Sequence, residues 1–283
     1  MNTPARPAAL RIVIGEPGQE QRGFDPATPN TARVYNSWLG GKDNYAADRG
    51  EASALVEIYP PLLDLVRENR NFLRQAVTWA AGEGISQFVD LGAGLPAEPN
   101  THQAARAVNP DAKVAYVDYD PVVLAHARAL LATRPGVAAV AADLTDPAAV
   151  LACAELREII DLTQPVCVIL GAVLHFLDAD AARRVTAGYR DLVAPGSCLI
   201  ISLARYDDEE LARQLAEKYT AGQFVNHTTG DIASFFAGWQ LAGPGLTEAS
   251  AWRSRADRPM VLAHRAGHVI VGAAGLPATA GDR

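Results

Sequence analysis

The chain has 283 residues, of which 49% are hydrophobic and 20% are charged, and its formal net charge at pH 7 is −7. This length and composition allow a large buried core in one or two domains. The negative charge, without a local cluster of Lys and Arg, argues against a nucleic-acid substrate. Because no apolar stretch is long enough to span a membrane and the start of the chain lacks the apolar core of a signal sequence, we expect a cytoplasmic protein that does not bind membranes.

Composition divides the chain into four parts. Residues 1–23 and 276–283 are rich in Pro, Gly and small polar residues, so we expect mobile tails there. Residues 24–85 have a helical pattern, and we call them the N-terminal helical cap. Residues 86–275 alternate strand-like and helical runs and form the predicted core.

The N-terminal helical cap is predicted to hold three helices. Thr31 can cap the first helix, which ends at Gly40-Gly41. The second covers about 48–59, and the third covers about 62–81 with Arg70 in its middle. The turn after the first helix, Lys42-Asp43-Asn44-Tyr45, has many hydrogen-bonding groups and few apolar ones. It could belong to a plain packing hairpin, but we expect a binding role because a linker does not require such a turn.

The most informative stretch is 87–95, an apolar run that reaches Asp90 and then two glycines, Gly92 and Gly94. A parallel strand that is covered on both faces is continuously apolar, and a close approach by a ligand to the turn that follows needs residues without a Cβ. A second strand-like run, 113–118, ends in Asp118, 24 residues after Gly94. An acid at that position binds ribose hydroxyls in doubly wound folds.

Two cofactor classes use this arrangement. A dinucleotide-dependent oxidoreductase would place a third glycine where the chain has Ala97, and Glu98 would set a negative charge beside the diphosphate. S-adenosylmethionine has no phosphate and carries a sulfonium cation, so the acid-rich turn favours it. A glycine turn that binds no ligand is the remaining alternative.

The rest of the chain continues the alternation. Strands are predicted at 137–142, 165–170, 197–203, 239–241 and 268–273, and helices at 146–160, 180–192, 208–219 and 232–237. This order predicts parallel βαβ units with a ligand crevice at the carboxyl ends of the strands. Asp90, Asp118, Asp143 and Gly171 all lie at such ends. Cys167 and Cys198 fall in strand-like runs without metal-ligand spacing, so they are predicted to be buried thiols in a reducing compartment, and we predict no metal site.

Several segments together resemble one known family. They are Asn30-Thr31-Ala32-Arg33-Val34-Tyr35, Leu39-Gly40-Gly41-Lys42-Asp43-Asn44-Tyr45, Asp90-Leu91-Gly92-Ala93-Gly94-Leu95-Pro96 and Val117-Asp118-Tyr119-Asp120-Pro121. The chain is similar, over roughly 24–275, to the actinobacterial S-adenosylmethionine-dependent methyltransferases, a branch of the class I methyltransferase fold. The resemblance implies an α/β, doubly wound, mostly parallel seven-stranded sheet with an antiparallel last strand, and helices of the N-terminal helical cap folded over the cofactor.

The resemblance also implies roles for residues at the strand ends. Asp90, Gly92 and Gly94 would line the methionine moiety, Asp118 would bind the ribose, and Tyr119 would lie against the adenine. The other implied cofactor contacts are Asp143 and Leu144 at the adenine edge, and Gly171 and Ala172 near the sulfonium. Asp143 could instead simply cap the next helix.

The methionine carboxylate needs a cation, and Lys42 or Arg70 is the predicted partner, with Asn44 beside them. Methyl transfer to a small-molecule acceptor requires alignment more than a base. O-methylation is slightly favoured, with His175, Tyr35 and Tyr45 as candidate catalytic residues and His102 as a further one. Each histidine could instead tie down a turn. A catalytically silent S-adenosylmethionine-binding regulator is the alternative outside enzymes.

Overall fold

The structure is a computed structural model that describes residues 25–252 and 266–277. The predicted tail 1–23, and residues 278–283 of the predicted C-terminal tail, lie outside the described residues. The helices are α1 (Thr31–Trp38), α2 (Ala46–Ile58), α3 (Leu62–Gly82), α4 (Thr101–Arg106), α5 (Pro121–Leu130), α6 (Pro147–Ala152), α7 (Ala154–Arg157), α8 (Ala179–Leu192), α9 (Glu209–Lys218) and α10 (Thr229–Ser234). The strands are β1 (Gln87–Leu91), β2 (Lys113–Asp118), β3 (Val137–Ala141), β4 (Cys167–Gly171), β5 (Cys198–Tyr206), β6 (Gln240–Leu241), β7 (Thr247–Glu248) and β8 (Gly267–Gly275).

One sheet organises the molecule, in the strand order β3-β2-β1-β4-β5-β8-β6, with β7 also paired to β8. Strands β1 to β5 run parallel, and β8 pairs antiparallel with β5 over nine residue pairs. This confirms the predicted α/β, doubly wound, mostly parallel sheet. The predicted strand number of seven differs from the eight found in the described part, because β6 and β7 are separate two-residue strands on different parts of β8.

The sheet is covered on both faces, as the apolar run at β1 predicted. Phe88 packs in a cluster with α3, whereas its neighbour Val89 packs in a second cluster with α6 and α8, and both side chains are fully buried. The helix α3 lies directly on the sheet and buries Phe72 and Ala76 there. Because parallel strands end at one edge, the carboxyl ends of β1, β2 and β4 meet beside α3.

Two local predictions were wrong. The N-cap of α1 is Asn30, whose side-chain oxygen accepts from two backbone N–H groups of the first turn, so Thr31 becomes the first helical residue. The predicted helix at 146–160 divides at Cys153, whose backbone is extended. The break redirects the chain, and Leu156 and Ile160 are buried in the core beyond it.

Candidate functional site

The turn after β1 is built on two left-handed glycines. Gly92 and Gly94 both have a φ of +64°. A Cβ added at Gly92 would lie 2.6 Å from Val173 Cγ1 and 3.2 Å from Leu144 Cδ2, whereas one at Gly94 would find no heavy atom nearer than 3.9 Å. Gly92 is therefore required by packing as well as by φ, and Gly94 by φ alone, which leaves the space above Gly94 open to a ligand.

Asp118 ties this turn to the end of β2. One of its oxygens accepts from the Gly94 N–H at 3.0 Å, and the other accepts from the Asp120 N–H at 2.9 Å. Burial raises the pKa of the Asp118 carboxyl, and these two N–H groups oppose that effect. The Tyr119 N–H also opposes the rise as a third donor, and the acceptor capacity that remains on the carboxylate is available to the ribose.

Asp90 is in β1, and its side chain contacts the first residue of α4. Its carboxylate accepts from the Thr101 hydroxyl at 2.6 Å. Burial raises the pKa of Asp90 to about 6, opposed by the Thr101 hydrogen bond and the Arg70 guanidinium, while Asp118 raises it further. The pKa of Asp90 is therefore close to neutral pH, and a cation placed beside the carboxylate would lower it.

Arg70 holds the glycine turn from the side of α3. Its guanidinium donates to the Ala97 carbonyl at 2.5 Å and to the Pro99 carbonyl at 3.0 Å. Arg70 thus lies at the predicted methionine end, where it orders the loop. Lys42, the other predicted partner of the methionine carboxylate, is exposed in the turn before α2.

The end of β4 is strained and tightly packed. A Cβ at Gly171 would lie 2.9 Å from Leu73 Cδ1 on α3. Ala172 has a φ of +56°, and its N–H donates to the carbonyl and the hydroxyl of Ser202 at 2.9 and 3.1 Å. A left-handed alanine costs about 1–3 kcal/mol, and such strain clusters at functional sites.

The predicted adenine edge follows β2 and β3. Asp143 accepts from the Thr145 N–H and hydroxyl, so it orders its own turn, and the N-cap of α6 is Asp146. The Leu144 carbonyl accepts from the Tyr189 hydroxyl at 3.1 Å. Tyr119, at the end of β2, exposes 53% of its surface, so one face of the ring is accessible.

A polar network fixes the N-terminal helical cap against this edge. The Asp48 carboxylate is fully buried and accepts from the Asn30 N–H, the Tyr45 N–H and the Arg33 guanidinium. The Asn30 side-chain amide donates to the Asp120 carboxylate at 2.7 Å. The segments that carried the family resemblance therefore meet at the carboxyl end of β2.

The turn at Gly41 is held by two asparagines. A Cβ at Gly41 would lie 2.3 Å from the Asn36 amide, so only glycine fits there. The Asn44 side-chain N–H groups donate to Asn36 Oδ1 and to the Gly41 carbonyl. Since both of its N–H groups are engaged, Asn44 builds the turn, and the predicted cofactor contact would require it to exchange these partners.

The candidate catalytic tyrosines both contact residues of the N-terminal helical cap, Tyr35 within it and Tyr45 at its surface, where Tyr45 is 40% exposed. The Tyr35 hydroxyl accepts from Asn69 Nδ2 at 2.8 Å and lies 3.5 Å from the Val66 carbonyl, and burial raises its pKa. The Arg33 guanidinium carbon lies 5.4 Å from the centre of the Tyr45 ring. These contacts orient both rings toward structural partners.

The two candidate histidines are both buried. His175 Nδ1 is 3.3 Å from the Ala204 N–H, and its ring packs edge-on against Phe176 with 4.4 Å between ring centres. Burial lowers the pKa of His175 to about 3. An imidazole whose Nδ1 accepts from the backbone carries its proton on Nε2, so this geometry favours the turn-bracing alternative over a base. His102 Nδ1 likewise lies 2.8 Å from the Tyr116 hydroxyl.

A family model described as S-adenosyl methyltransferase matches residues 17–278 of the chain. The chain belongs to that family. The methyltransferase uses S-adenosylmethionine, so the dinucleotide alternative is set aside. The residues present fit this cofactor: a glycine turn with open space above Gly94, and an Asp118 carboxylate with free lone pairs, stand at one edge of the sheet.

Two solved structures resemble the methyltransferase over most of its length. A candidate methyltransferase from Thermobifida fusca YX is 38% identical, with a TM-score of 0.83 over 91% of this chain and 98% of its own. A DUF574 family protein from Streptomyces avermitilis MA-4680 is 33% identical, with a TM-score of 0.81 over 88% of this chain and 98% of its own. A search of curated proteins gave no match.

The described part of the methyltransferase has neither a membrane-crossing helix nor a cluster of metal ligands. None of the described helices combines the length and apolar character that a membrane crossing needs. The described side chains also include no group of three or more His, Cys, Asp or Glu that could hold a metal ion.

Sequence reasoning missed the segment that closes the methyltransferase over β4. Glu51 on α2 accepts from the Thr220 N–H and hydroxyl and from the Ala221 N–H, so it fastens the loop after α9 to the N-terminal helical cap. Tyr219 stacks on Phe176 with 5.9 Å between ring centres and 7° between ring planes. These partners are far apart in the sequence, and no local pattern distinguishes Glu51 from the other acids of α2.

Proposed function

We propose that this methyltransferase transfers the methyl group of S-adenosylmethionine to a small-molecule acceptor, with oxygen as the favoured acceptor atom, in the cytoplasm. The observation that carries the proposal is the hydrogen bond from the Gly94 N–H to the Asp118 carboxylate at 3.0 Å. This bond joins the open glycine turn to the carboxylate that is predicted to bind the ribose. The three unpaired cysteines support a reducing compartment. We also propose that the family is actinobacterial and that the Gly-Gly-Lys-Asp-Asn segment is specific to it.

The main contribution of the site is to align the acceptor with the methyl group of the cofactor. When bound, S-adenosylmethionine supplies an electrophilic methyl group on a sulfonium, and the thioether is the leaving group. Gly92 and Gly94, both with positive φ, would allow the backbone to approach the methionine moiety, and the left-handed Ala172 would turn the chain beside the sulfonium. Holding the two reactants in line accounts for roughly 7–11 kcal/mol of barrier in well-oriented reactions.

The acceptor is proposed to lie under the loop that Glu51 fastens, against the stacked rings of Phe176 and Tyr219. Because His175, Tyr35 and Tyr45 have structural partners, an acceptor that is already ionised at neutral pH, such as a carboxylate, suits the site best. Such an oxygen attacks the methyl group without losing a proton, so no general base is required.

The test is calorimetry with S-adenosylmethionine, S-adenosylhomocysteine and NAD, followed by transfer of labelled methyl to panels of carboxylates, phenols and amines. We expect binding of the first two ligands and transfer to a carboxylate or phenol. Absence of binding would overturn the proposal. Binding without transfer to any acceptor would favour a regulator, and transfer only to amines would overturn the oxygen preference.

A further inference from the structure

Asn69 on α3 has a buried side-chain oxygen that is unpaired in the described structure. The residue is 3% exposed, and its Nδ2 donates to the Tyr35 hydroxyl at 2.8 Å, but its Oδ1 has no hydrogen-bond partner among the described residues. A buried acceptor without a partner destabilises the fold, and such atoms are uncommon in folded proteins. The atom therefore indicates a donor that is supplied from outside the chain.

The neighbours of Asn69 place it at the methionine end of the site. On α3, Arg70 donates to the loop after the glycine turn, and Leu73, one turn further on, is the side chain nearest to Gly171. On α1, Ala32 is the residue nearest to the space above Gly94, and Tyr35 lies one turn after it on the same face. Asn69 bonds to Tyr35 and thus lies where α1, α3 and the ends of β1 and β4 meet.

The chemistry of the unpaired atom selects the ligand group. Oδ1 is an acceptor only, so a carboxylate or a thioether cannot satisfy it, whereas an ammonium offers three donors. Asp90, whose carboxylate couples electrostatically with the neighbouring Arg70, also belongs to this end of the site and attracts a cation. The ribose hydroxyls are assigned to Asp118, at the end of a different strand.

We propose that Asn69 Oδ1 accepts a hydrogen bond from the α-ammonium group of S-adenosylmethionine and so fixes the methionine end of the cofactor. This inference rests on the proposed function. An orphaned amide alone would not carry it, because Gln75 on the same helix also has a buried, unpaired oxygen. Asn69 differs in its contact with Tyr35 and in its place beside the glycine turn.

The experiment is calorimetry with S-adenosylhomocysteine and with its analogue that lacks the α-amino group. In Asn69→Ala, we expect the affinity for S-adenosylhomocysteine to fall about 10- to 100-fold, while the affinity for the analogue changes little. Asn69→Asp keeps an acceptor at the same place, so it should bind S-adenosylhomocysteine at least as tightly as the wild type. Gln75→Ala is the matched control and should leave both affinities unchanged.

The outcomes separate the two proposals. A wild-type protein that does not bind S-adenosylhomocysteine overturns the proposed function. Wild-type binding with equal losses for both ligands in Asn69→Ala overturns only the ammonium contact. If the melting curve shows that Asn69→Ala does not fold, Asn69→Asp decides between the outcomes. A loss of affinity for S-adenosylhomocysteine but not for the analogue would place the carboxylate of the ligand, and not its ammonium group, beside residue 69 and refute the inference.

Discussion

The Asn30 side-chain amide donates to the Asp120 carboxylate, with 2.7 Å between Nδ2 and Oδ2. The two residues are 90 positions apart, and each caps a helix: Asn30 caps α1, and Asp120 caps α5 immediately after β2. One hydrogen bond thus joins the N-terminal helical cap to the strand whose last residue is Asp118. This pair is one of the contacts that hold α1 at the carboxyl end of β2.

Breaking that pair should loosen the N-terminal helical cap. Asn30→Asp keeps the helix cap but sets two carboxylates against each other, whereas Asn30→Ala loses both interactions. We expect Asn30→Ala to lower the free energy of unfolding by about 1–3 kcal/mol and to weaken cofactor binding. Asp146→Ala, which removes the cap of α6 only, is the control in chemical denaturation. Equal cofactor affinity in Asn30→Ala, Asn30→Asp and the wild type would contradict a role of this pair in the site.

The two glycines of the turn should differ in their tolerance of a methyl group. Gly94→Ala adds only the left-handed strain, about 1–2 kcal/mol. Gly92→Ala adds the same strain and puts its Cβ only 2.6 Å from Val173 Cγ1, so we expect a further loss of about 1–3 kcal/mol. Thermal unfolding measures the stability of both variants. Adding Val173→Ala to Gly92→Ala should recover part of the stability that Gly92→Ala loses. The packing argument fails if the two single variants are equally stable.

Asp118 is predicted to hold the ribose. Asp118→Ala should cost about 1.5–3 kcal/mol of binding, or roughly 10- to 100-fold in the affinity for S-adenosylhomocysteine. Because Asp118 also orders the turn through Gly94, the same variant is titrated with the 2′,3′-dideoxy analogue, which lacks the ribose hydroxyls. A loss that is equally large for the analogue would assign Asp118 to the turn alone.

Asp90 should make the stability of the free protein depend on pH. Its pKa is raised to about 6 in the folded state against an ordinary value near 4, so the folded state binds the proton more tightly. The resulting stabilisation is present below about pH 4 and is lost as the pH rises through about 6. Because Asp90 is partly accessible to water, we expect a difference of roughly 2 kcal/mol.

Asp90→Asn provides the reference for this pH dependence. The amide can still accept from the Thr101 hydroxyl but does not titrate. Urea denaturation of both proteins between pH 4 and 7 should show the wild type losing stability relative to the variant across that range. A constant difference between the two curves would show that burial does not perturb Asp90.

His175 should act on stability and not on the pH dependence of transfer. His175→Leu leaves the Ala204 N–H without its partner, so we expect a loss of about 1–3 kcal/mol. His175→Asn offers Oδ1 near the position of Nδ1 and should lose less. The melting temperature and the pH profile of transfer are measured together. A variant that keeps its stability but loses an ionisation near pH 6.5 from its rate profile would restore His175 as a base.

The sequence by itself determined the fold and the edge of the sheet that forms the site. Strands buried on both faces are continuously apolar, and glycines that need a positive φ follow them directly, so β1, Gly92 and Gly94 could be found from local pattern. The acid at the end of β2 follows from the same local pattern, which depends on neighbours in the chain. The antiparallel direction of the last strand is implied by the family resemblance alone.

Only the tertiary structure decided what the polar side chains of the N-terminal helical cap do. Asn44 is a predicted cofactor contact and Tyr35 is a candidate catalytic residue, but their side chains form hydrogen bonds with Asn36 and Asn69. Asn69 itself carries no signal in the sequence, since only the packed structure shows that its side-chain oxygen is buried without a partner among the described residues. A hydrogen bond between distant residues depends on how helices pack, and the periodicity of a single helix does not contain that information.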